Sequence, residues 1–105
     1  MPFESTMDAL RSLAHVGKAT VRTALNIKVP TVVSTRPGRL LRVRVVRAGT
    51  KPGAVHDAEA LAGAVASSRI ATIPRTIAMY DVDWPCDFGI VVVPGAGQVL
   101  AVMFV

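Results

Sequence analysis

The residues of this sequence that could perform chemistry begin with two carboxylates on one predicted strand. Asp81 and Asp83 stand two positions apart, and alternate residues of a strand share a face, so both could contact one Ca²⁺ ion. Calcium takes about six to eight oxygen ligands, and no acidic loop of suitable spacing accompanies the pair. We therefore interpret Asp81 and Asp83 as a solvated or ion-paired face.

The histidines and serines do not form a catalytic pattern. His15 and His56 are far apart in the chain, with no cysteine or carboxylate at metal-ligand spacing. His56 precedes Asp57, but consecutive residues of a strand point to opposite faces. Ser67 and Ser68 lie in an alanine-rich stretch that lacks the glycines of a nucleophile elbow. We therefore predict that the protein is not an enzyme and uses no metal or cofactor.

The single cysteine and the glycine-rich turn are also interpreted as structural. Cys86 has no second cysteine to pair with, and its position after Trp84 and Pro85 predicts a small buried apolar residue. The turn over residues 94–97 contains glycine-x-glycine, but it joins two predicted strands and opens no helix, so it cannot supply a phosphate cradle. Its length and its two glycines predict a hairpin turn.

The composition predicts a chain that other subunits cover. Of 105 residues, 51% are hydrophobic and 18% are charged, and the mean hydropathy is +0.47. No uncharged apolar run approaches the ~18 residues of a membrane span. The first ten residues lack the basic start and apolar core of a signal peptide. We expect no membrane partner, and a homo-oligomer, either a trimer or a dimer, or a larger assembly.

Residues 1–30 are predicted to form an N-terminal arm, separate from a β-domain over residues 31–105. Ser5 can cap a helix that extends from Pro2 to Ile27, and Asp8 lies in its first turn, where the helix dipole favours an acid. Apolar residues recur at spacings of three and four. This stripe comprises Met7, Leu10, Leu13, Ala14, Gly17, Val21, Ala24 and Leu25.

The second half of this helix is weaker than the first. Gly17, Thr20, Val21 and Thr23 lower helix propensity, so the segment is either frayed or extended. The arm either packs on its own domain, becomes ordered only on a partner, or lies on a membrane surface. The small residues of its stripe disfavour the membrane alternative.

Residues 31–105 predict a mainly β fold. Short apolar or alternating runs recur about every ten residues, with proline and glycine turns between them. About seven such strands indicate an antiparallel β-sandwich or a jelly-roll-like barrel. The last run, residues 98–105, is so apolar that it must be buried in its own sheet or against a neighbour. Tyr80 and Trp84 share the apolar parity of their strand, which predicts that both lie in the core.

Residues 31–51 carry six basic residues and no acidic one. The strand from Arg39 to Ala48 alternates between a core face and a basic face. The predicted core face comprises Leu41, Val43 and Val45, and the basic face comprises Leu40, Arg42, Arg44 and Val46. The basic face is a solvated surface, a protein interface or a nucleic-acid surface. The absence of aromatic residues from this strand disfavours nucleic acid.

From Thr31 onward, several turn and strand segments resemble small virion structural proteins of tailed bacteriophages. They are residues 31–33 (TVV), 37–40 (PGRL), 48–53 (AGTKPG), 56–58 (HDA), 73–74 (IP), 84–86 (WPC) and 89–98 (GIVVVPGAGQ). The resemblance implies a β-sandwich attached to a virion that is assembled in the host cytoplasm. It implies a capsid decoration (cement) protein or, as the alternative, a head-fibre, neck or tail component. The N-terminal extension is longer than expected for such proteins, which favours an arm that embraces the capsid.

The resemblance also suggests which residues make contacts. We expect the arm and the basic strand to bind an acidic patch of the major capsid protein, through Met7, Leu10, Arg11, Leu13, Lys18, Arg22, Arg42 and Arg44. We expect copies of the chain to associate through Val99, Ala101, Met103 and Val105. The alternative from another class is a basic nucleic-acid-associated protein with Arg42 and Arg44 on phosphates.

Overall fold

Short runs of β-branched residues between turns form eight strands in the computed structural model, which describes residues 20–105. They are β1 (Arg22–Ile27), β2 (Thr31–Ser34), β3 (Gly38–Arg47), β4 (Gly53–His56), β5 (Arg69–Ile73), β6 (Ala78–Cys86), β7 (Ile90–Val93) and β8 (Val99–Phe104). Two single-turn 3₁₀ helices, Leu61–Gly63 and Ala66–Ser68, connect β4 to β5. The predicted mainly β fold is confirmed: residues 31–105 form the expected seven strands, and the eighth, β1, lies in the predicted arm.

The strands form two four-stranded sheets, in which every pairing is antiparallel. Sheet I has the order β1-β8-β3-β6, and sheet II has the order β2-β7-β4-β5. This arrangement confirms the predicted antiparallel sandwich.

The core lies between the two sheets. Alternate residues of a strand point inward, so β8 contributes Leu100, Val102 and Phe104 to this layer, and β3 contributes Val43 and Val45. The side chains with no exposed surface include Leu40, Val43, Val45, Val55, Ile90, Val92 and Leu100. Burial of each such side chain contributes about 1.5–3 kcal/mol, so this layer is the main source of stability.

The predicted helix is wrong for its last six residues, because Arg22–Ile27 form strand β1. The extended alternative holds here, since the β-branched residues of this stretch suit a strand and β8 supplies the backbone partners. Ile27 is 4% exposed and belongs to the core. Sheet I therefore includes residues that the sequence assigned to the arm, while the predicted helix over residues 2–19 lies outside the described residues.

A β-bulge in β3 changes which residues face the core. The pairing with β8 passes from Leu40 opposite Phe104 to Arg42 opposite Met103, so β3 carries one extra residue there. The bulge turns Leu40 inward, whereas the sequence predicted that Leu41 occupies the core. Strict alternation cannot reveal a bulge, because the extra residue depends on the partner strand.

A second irregularity lies in β6 and explains a second wrong prediction. Asp83 has a positive φ of 49°, and the pairing with β3 shifts at this point. Tyr80 packs against the core as predicted. Trp84, beyond the shift, is 52% exposed, so its predicted core position is wrong.

The predicted hairpin between β7 and β8 is also wrong. β7 pairs with β2 and β4 in sheet II, whereas β8 pairs with β1 and β3 in sheet I. The turn therefore carries the chain from one sheet to the other. Gly97 takes a positive φ of 77°, and the Gln98 N–H donates a 2.9 Å hydrogen bond to the Gly95 carbonyl.

Candidate interaction surface

The outer surface of sheet I brings together residues from four strands. We call the surface formed by Thr23, Leu25, Arg42, Arg44, Met79, Ala101 and Met103 the arginine groove. It is an open depression of about 140 Å³. Each of these residues lies on the face opposite the core because its neighbours in the strand point inward.

Cross-strand pairing fixes the order of side chains in the arginine groove. One row runs from Thr23 through Met103 and Arg42 to Asp81, each opposite the next on the adjacent strand. Side chains directly opposite each other in antiparallel strands lie close enough to interact. This row therefore ends in a charged pair at the β6 edge.

The second row is more apolar. Arg44 lies opposite Ala101 on one side and Met79 on the other. Leu25, on β1, lines the groove beyond Ala101. Leu25 and Met79 are 72% and 49% exposed, so the groove offers apolar surface on both sides of the Arg44 side chain.

Ion pairs neutralise two of the four arginines of β3. The Nε atom of Arg42 lies 2.8 Å from Asp81 Oδ1, and the Nε atom of Arg39 lies 2.6 Å from Asp83 Oδ1. The hydrogen bond from Arg39 lowers the pKa of Asp83, and the same bond raises the pKa of Arg39. These contacts confirm the interpretation of Asp81 and Asp83 as an ion-paired face.

Arg44 differs from Arg39 and Arg42 in this respect. Among residues 20–105, no carboxylate lies within ion-pair distance of its guanidinium, and its side chain is exposed. An unpaired guanidinium surrounded by apolar side chains suits a carboxylate on an apolar partner surface, because Arg binds carboxylates in a bidentate manner.

The residues predicted to join copies of the chain lie on β8 and at its end. Val99 and Ala101 are each 8% exposed, so they offer little surface to a partner. Met103 and Val105 are half-buried. The backbone of β8 pairs with β1 and β3, so this strand cannot accept a further strand. Any contact through it must use side chains of the arginine groove.

The residues predicted to bind a partner are only partly brought together. Arg42 and Arg44 share the arginine groove with Ala101 and Met103. Arg22 lies elsewhere, in a depression that Arg36 and Phe104 also line. Met7, Leu10, Arg11, Leu13 and Lys18 lie outside the described residues.

Sequence reasoning missed Leu25 and Met79 as candidate contact residues. Met79 shares strand parity with Asp81 and Asp83, so its exposure could have been inferred from the alternation of β6. Leu25 was assigned to the apolar stripe of a helix. Its exposure follows from the strand geometry of β1, which the sequence did not predict.

His56 has a structural environment. It is 4% exposed, and its Nδ1 atom lies 3.0 Å from the Val65 carbonyl oxygen and 3.1 Å from Ser68 Oγ. Burial lowers the pKa of His56, whereas the hydrogen bond to the Val65 carbonyl acts to raise it. The Ser68 hydroxyl in turn donates a 2.6 Å hydrogen bond to the Gly63 carbonyl. The hydrogen bonds of His56 and Ser68 therefore hold the two 3₁₀ helices against β4.

Asp57 holds the loop between β6 and β7. Its carboxylate accepts backbone hydrogen bonds from Asp87 and Phe88 at 2.8 Å each, and from Gly89 at 3.3 Å. Burial acts to raise the pKa of Asp57, but these three donors outweigh it, so the pKa lies below its ordinary value. Both oxygens of the carboxylate are therefore occupied by hydrogen bonds from the loop.

Cys86 is buried at the end of β6. Burial, together with the nearby charge of Asp57, raises the pKa of its thiol to about 11. The thiolate is the reactive form, so this cysteine is poorly suited to nucleophilic chemistry at neutral pH. Its predicted burial is confirmed.

Among residues 20–105, no group of three His, Cys, Asp or Glu side chains is placed to hold a metal ion. No helix in the same range is long and apolar enough to cross a membrane.

Comparisons of the chain with models of protein families, with curated proteins and with solved structures found no match.

Proposed function

We propose that the protein is a structural component of a tailed-phage virion that decorates the capsid by binding the major capsid protein. The observation that carries the proposal is the arginine groove, where Arg44 has no ion-pair partner among residues 20–105 and lies between Leu25, Ala101 and Met79. The resemblance of residues 31–98 to virion structural proteins supplies the class of assembly. The groove supplies a surface suited to attachment.

The groove favours a partner that is apolar with one carboxylate opposite Arg44. Exposed ion pairs contribute only about 0–1 kcal/mol, so most of the affinity must come from covering Leu25, Met79 and Met103, at about 25 cal/mol per Å² of apolar surface. The ion pair of Arg44 then determines the orientation of the bound partner more than the affinity. Many weak copies on one particle give firm attachment if the subunits are linked.

The ion pairs of sheet I weaken the nucleic-acid alternative. Asp81 and Asp83 neutralise Arg42 and Arg39, which leaves Arg44 as the free cation of the groove among the described residues. Phosphate binding needs several free cations along one track, because each phosphate contact contributes electrostatically. A carboxylate-bearing protein surface requires only one.

The proposal is tested on particles of the phage whose genome encodes this chain. We expect cryo-electron microscopy to show many copies of the subunit on the head, with sheet I facing the capsid. Location in a fibre, neck or tail would replace decoration with the alternative virion role. Particles that lack the chain would refute both.

The role of the arginine groove is tested by binding purified variants to heads that lack the subunit. Arg44→Glu should lower affinity by roughly tenfold, because about 1.4 kcal/mol separates an attractive from a repulsive contact of this kind. Arg69→Glu is the matched control, since Arg69 is exposed on β5 of sheet II and the charge change is identical. Equal affinities for the two variants would contradict the groove as the contact surface. Steep log-linear loss of binding with salt would instead indicate phosphate contacts.

A further inference from the structure

The two sheets formed by residues 20–105 have four edge strands, and three of them are protected against pairing with another chain. β6 carries Pro85 and the ion-paired Asp81 and Asp83. β2 has only four residues, and β5 lies alongside β6 at the other edge of sheet II. Prolines, charges, short strands and covered edges are the usual means of preventing edge pairing.

β1 is less protected over its first half. It contains no proline, and Arg22 is its one charged residue. Leu25, within β1, and Val21, just before it, are 72% and 53% exposed. Leu25 lines the same groove as Thr23 and therefore lies on the outer face of sheet I. Val21 precedes β1 by one residue and has the same parity as Thr23. The only irregularity of β1 begins after Ala24, where the pairing with β8 shifts. Within residues 20–105, residues 21–25 therefore present an edge without a strand partner and with apolar side chains.

We propose that β1 pairs antiparallel with β1 of a second copy of the chain, with Thr23 at the centre. In this register Val21 lies opposite Leu25 of the partner subunit, and Thr23 lies opposite its own copy. Arg22 then lies opposite the small Ala24 of the partner subunit. Apolar and Thr–Thr cross-strand pairs stabilise antiparallel strands, so each opposed pair is compatible.

Other registers and edges are less suitable. Centring the pair on Arg22 would place two guanidinium groups opposite each other, which is destabilising. Centring it on Ala24 would extend the pairing to Asn26, whose φ of 58° departs from strand geometry. Pairing two β6 edges about Val82 would oppose Asp81 to Asp83 of the partner subunit. The observations therefore select β1 and Thr23.

This pairing produces a twofold dimer with one continuous sheet of eight strands, since each copy of sheet I contributes four. Residues directly opposite each other in a sheet share a face, so the two arginine grooves open on the same side. The pairing stands independently of the proposed function. Where that function holds, the dimer binds the capsid through two grooves at once, which raises its avidity.

The test is sedimentation equilibrium of the full chain and two double variants. We expect the natural chain to dimerise. Val21→Lys with Leu25→Lys should raise the dimer Kd at least tenfold, because the introduced lysines of the two copies would face each other at two places in the pairing. Val21→Lys with Leu25→Glu is the matched control and should remain dimeric, because each lysine then faces a glutamate. Urea unfolding of all three chains controls for stability.

A second measurement fixes the register. Cα atoms opposite each other in antiparallel strands are about 4.5–5.5 Å apart, within the range of a disulfide. In a Cys86→Ala background, Thr23→Cys should therefore form a covalent dimer on air oxidation, with oxygen accepting the electrons of the two thiols. Arg22→Cys, whose copies are not opposed, should cross-link at least tenfold more slowly.

Three results would overturn the pairing: a natural chain that stays monomeric at ~100 μM, equal dissociation of the two double variants, or equal cross-linking at positions 22 and 23. Arg44→Glu should leave the dimer intact, because Arg44 is on β3. Failure of capsid binding and failure of dimerisation are thus distinguishable.

Discussion

Replacing Asp57 by Asn tests whether its carboxylate stabilises the loop between β6 and β7. The carboxylate accepts hydrogen bonds from the N–H groups of Asp87, Phe88 and Gly89. An asparagine keeps one acceptor oxygen but places an NH₂ group against one of the two 2.8 Å donors. The variant therefore loses about one charge-assisted hydrogen bond and leaves one donor unpaired.

The expected destabilisation follows from that loss. A hydrogen bond to a charged group contributes about 1.5–3 kcal/mol, and we expect the free energy of unfolding to fall by about that amount. Urea unfolding at pH 7 measures the change. Asp87→Asn is the matched control, because Asp87 is exposed in the same loop and the charge change is the same.

The pH dependence gives the same prediction a second readout. The pKa of Asp57 is lowered in the folded state, so its stabilising contribution is present above the ordinary value of 3.8 and is lost as the pH falls through the folded value. The difference between the natural chain and Asp57→Asn should therefore shrink below pH 3.8. A difference that is absent at pH 7, or one that Asp87→Asn reproduces, would refute the assigned role of the carboxylate.

Three further predictions concern buried polar groups. Gln98 is 1% exposed; its side chain accepts a hydrogen bond from the Gly95 N–H at 3.0 Å and donates one to the Pro74 carbonyl at 2.8 Å. Gln98→Leu should therefore lower the free energy of unfolding by about 1–3 kcal/mol, measured by urea unfolding. An unchanged unfolding midpoint would show that these hydrogen bonds are dispensable. Burial lowers the pKa of His56, so its contribution to stability is present above the ordinary pKa of 6.5 and is lost as the pH falls through the folded pKa. In His56→Gln, the free energy of unfolding should therefore depend less on pH below 6.5. A pH profile identical to that of the natural chain would contradict the burial of the imidazole. Cys86 is 2% exposed and its thiol pKa is raised to about 11, so a thiol reagent at pH 8 should modify the native chain far more slowly than the urea-unfolded chain; equal rates would disprove this.

Local sequence patterns were sufficient for the fold class and for much of the site. Proline and glycine turns between short β-branched runs predicted an antiparallel sandwich, because both signals act over a few residues. Alternation placed Arg42 and Arg44 on an exposed face and Val43 and Val45 in the core, as the structure has them. The burial of Cys86 followed from its neighbours.

The errors arose where pairing between distant strands decides the outcome. The bulge in β3 turned Leu40 inward, and the shift at Asp83 left Trp84 exposed. A period of two cannot show an extra residue, because the residue is extra only relative to its partner strand. The apolar spacing of residues 21–25 fitted a helix stripe until β8 supplied hydrogen bonds to a strand.

The sequence by itself determined the inventory of this protein: the strands of residues 31–105, the basic strand β3 and a buried C-terminal run. Tertiary structure decided which of these elements are neighbours. It placed β7 and β8 in different sheets and paired Arg39 and Arg42 with Asp83 and Asp81. It placed Arg44 beside Met79, with no carboxylate of the described part of the chain to pair with. The physical reason is that strand formation depends on local side chains, whereas sheet order and ion pairing depend on contacts between residues far apart in the chain.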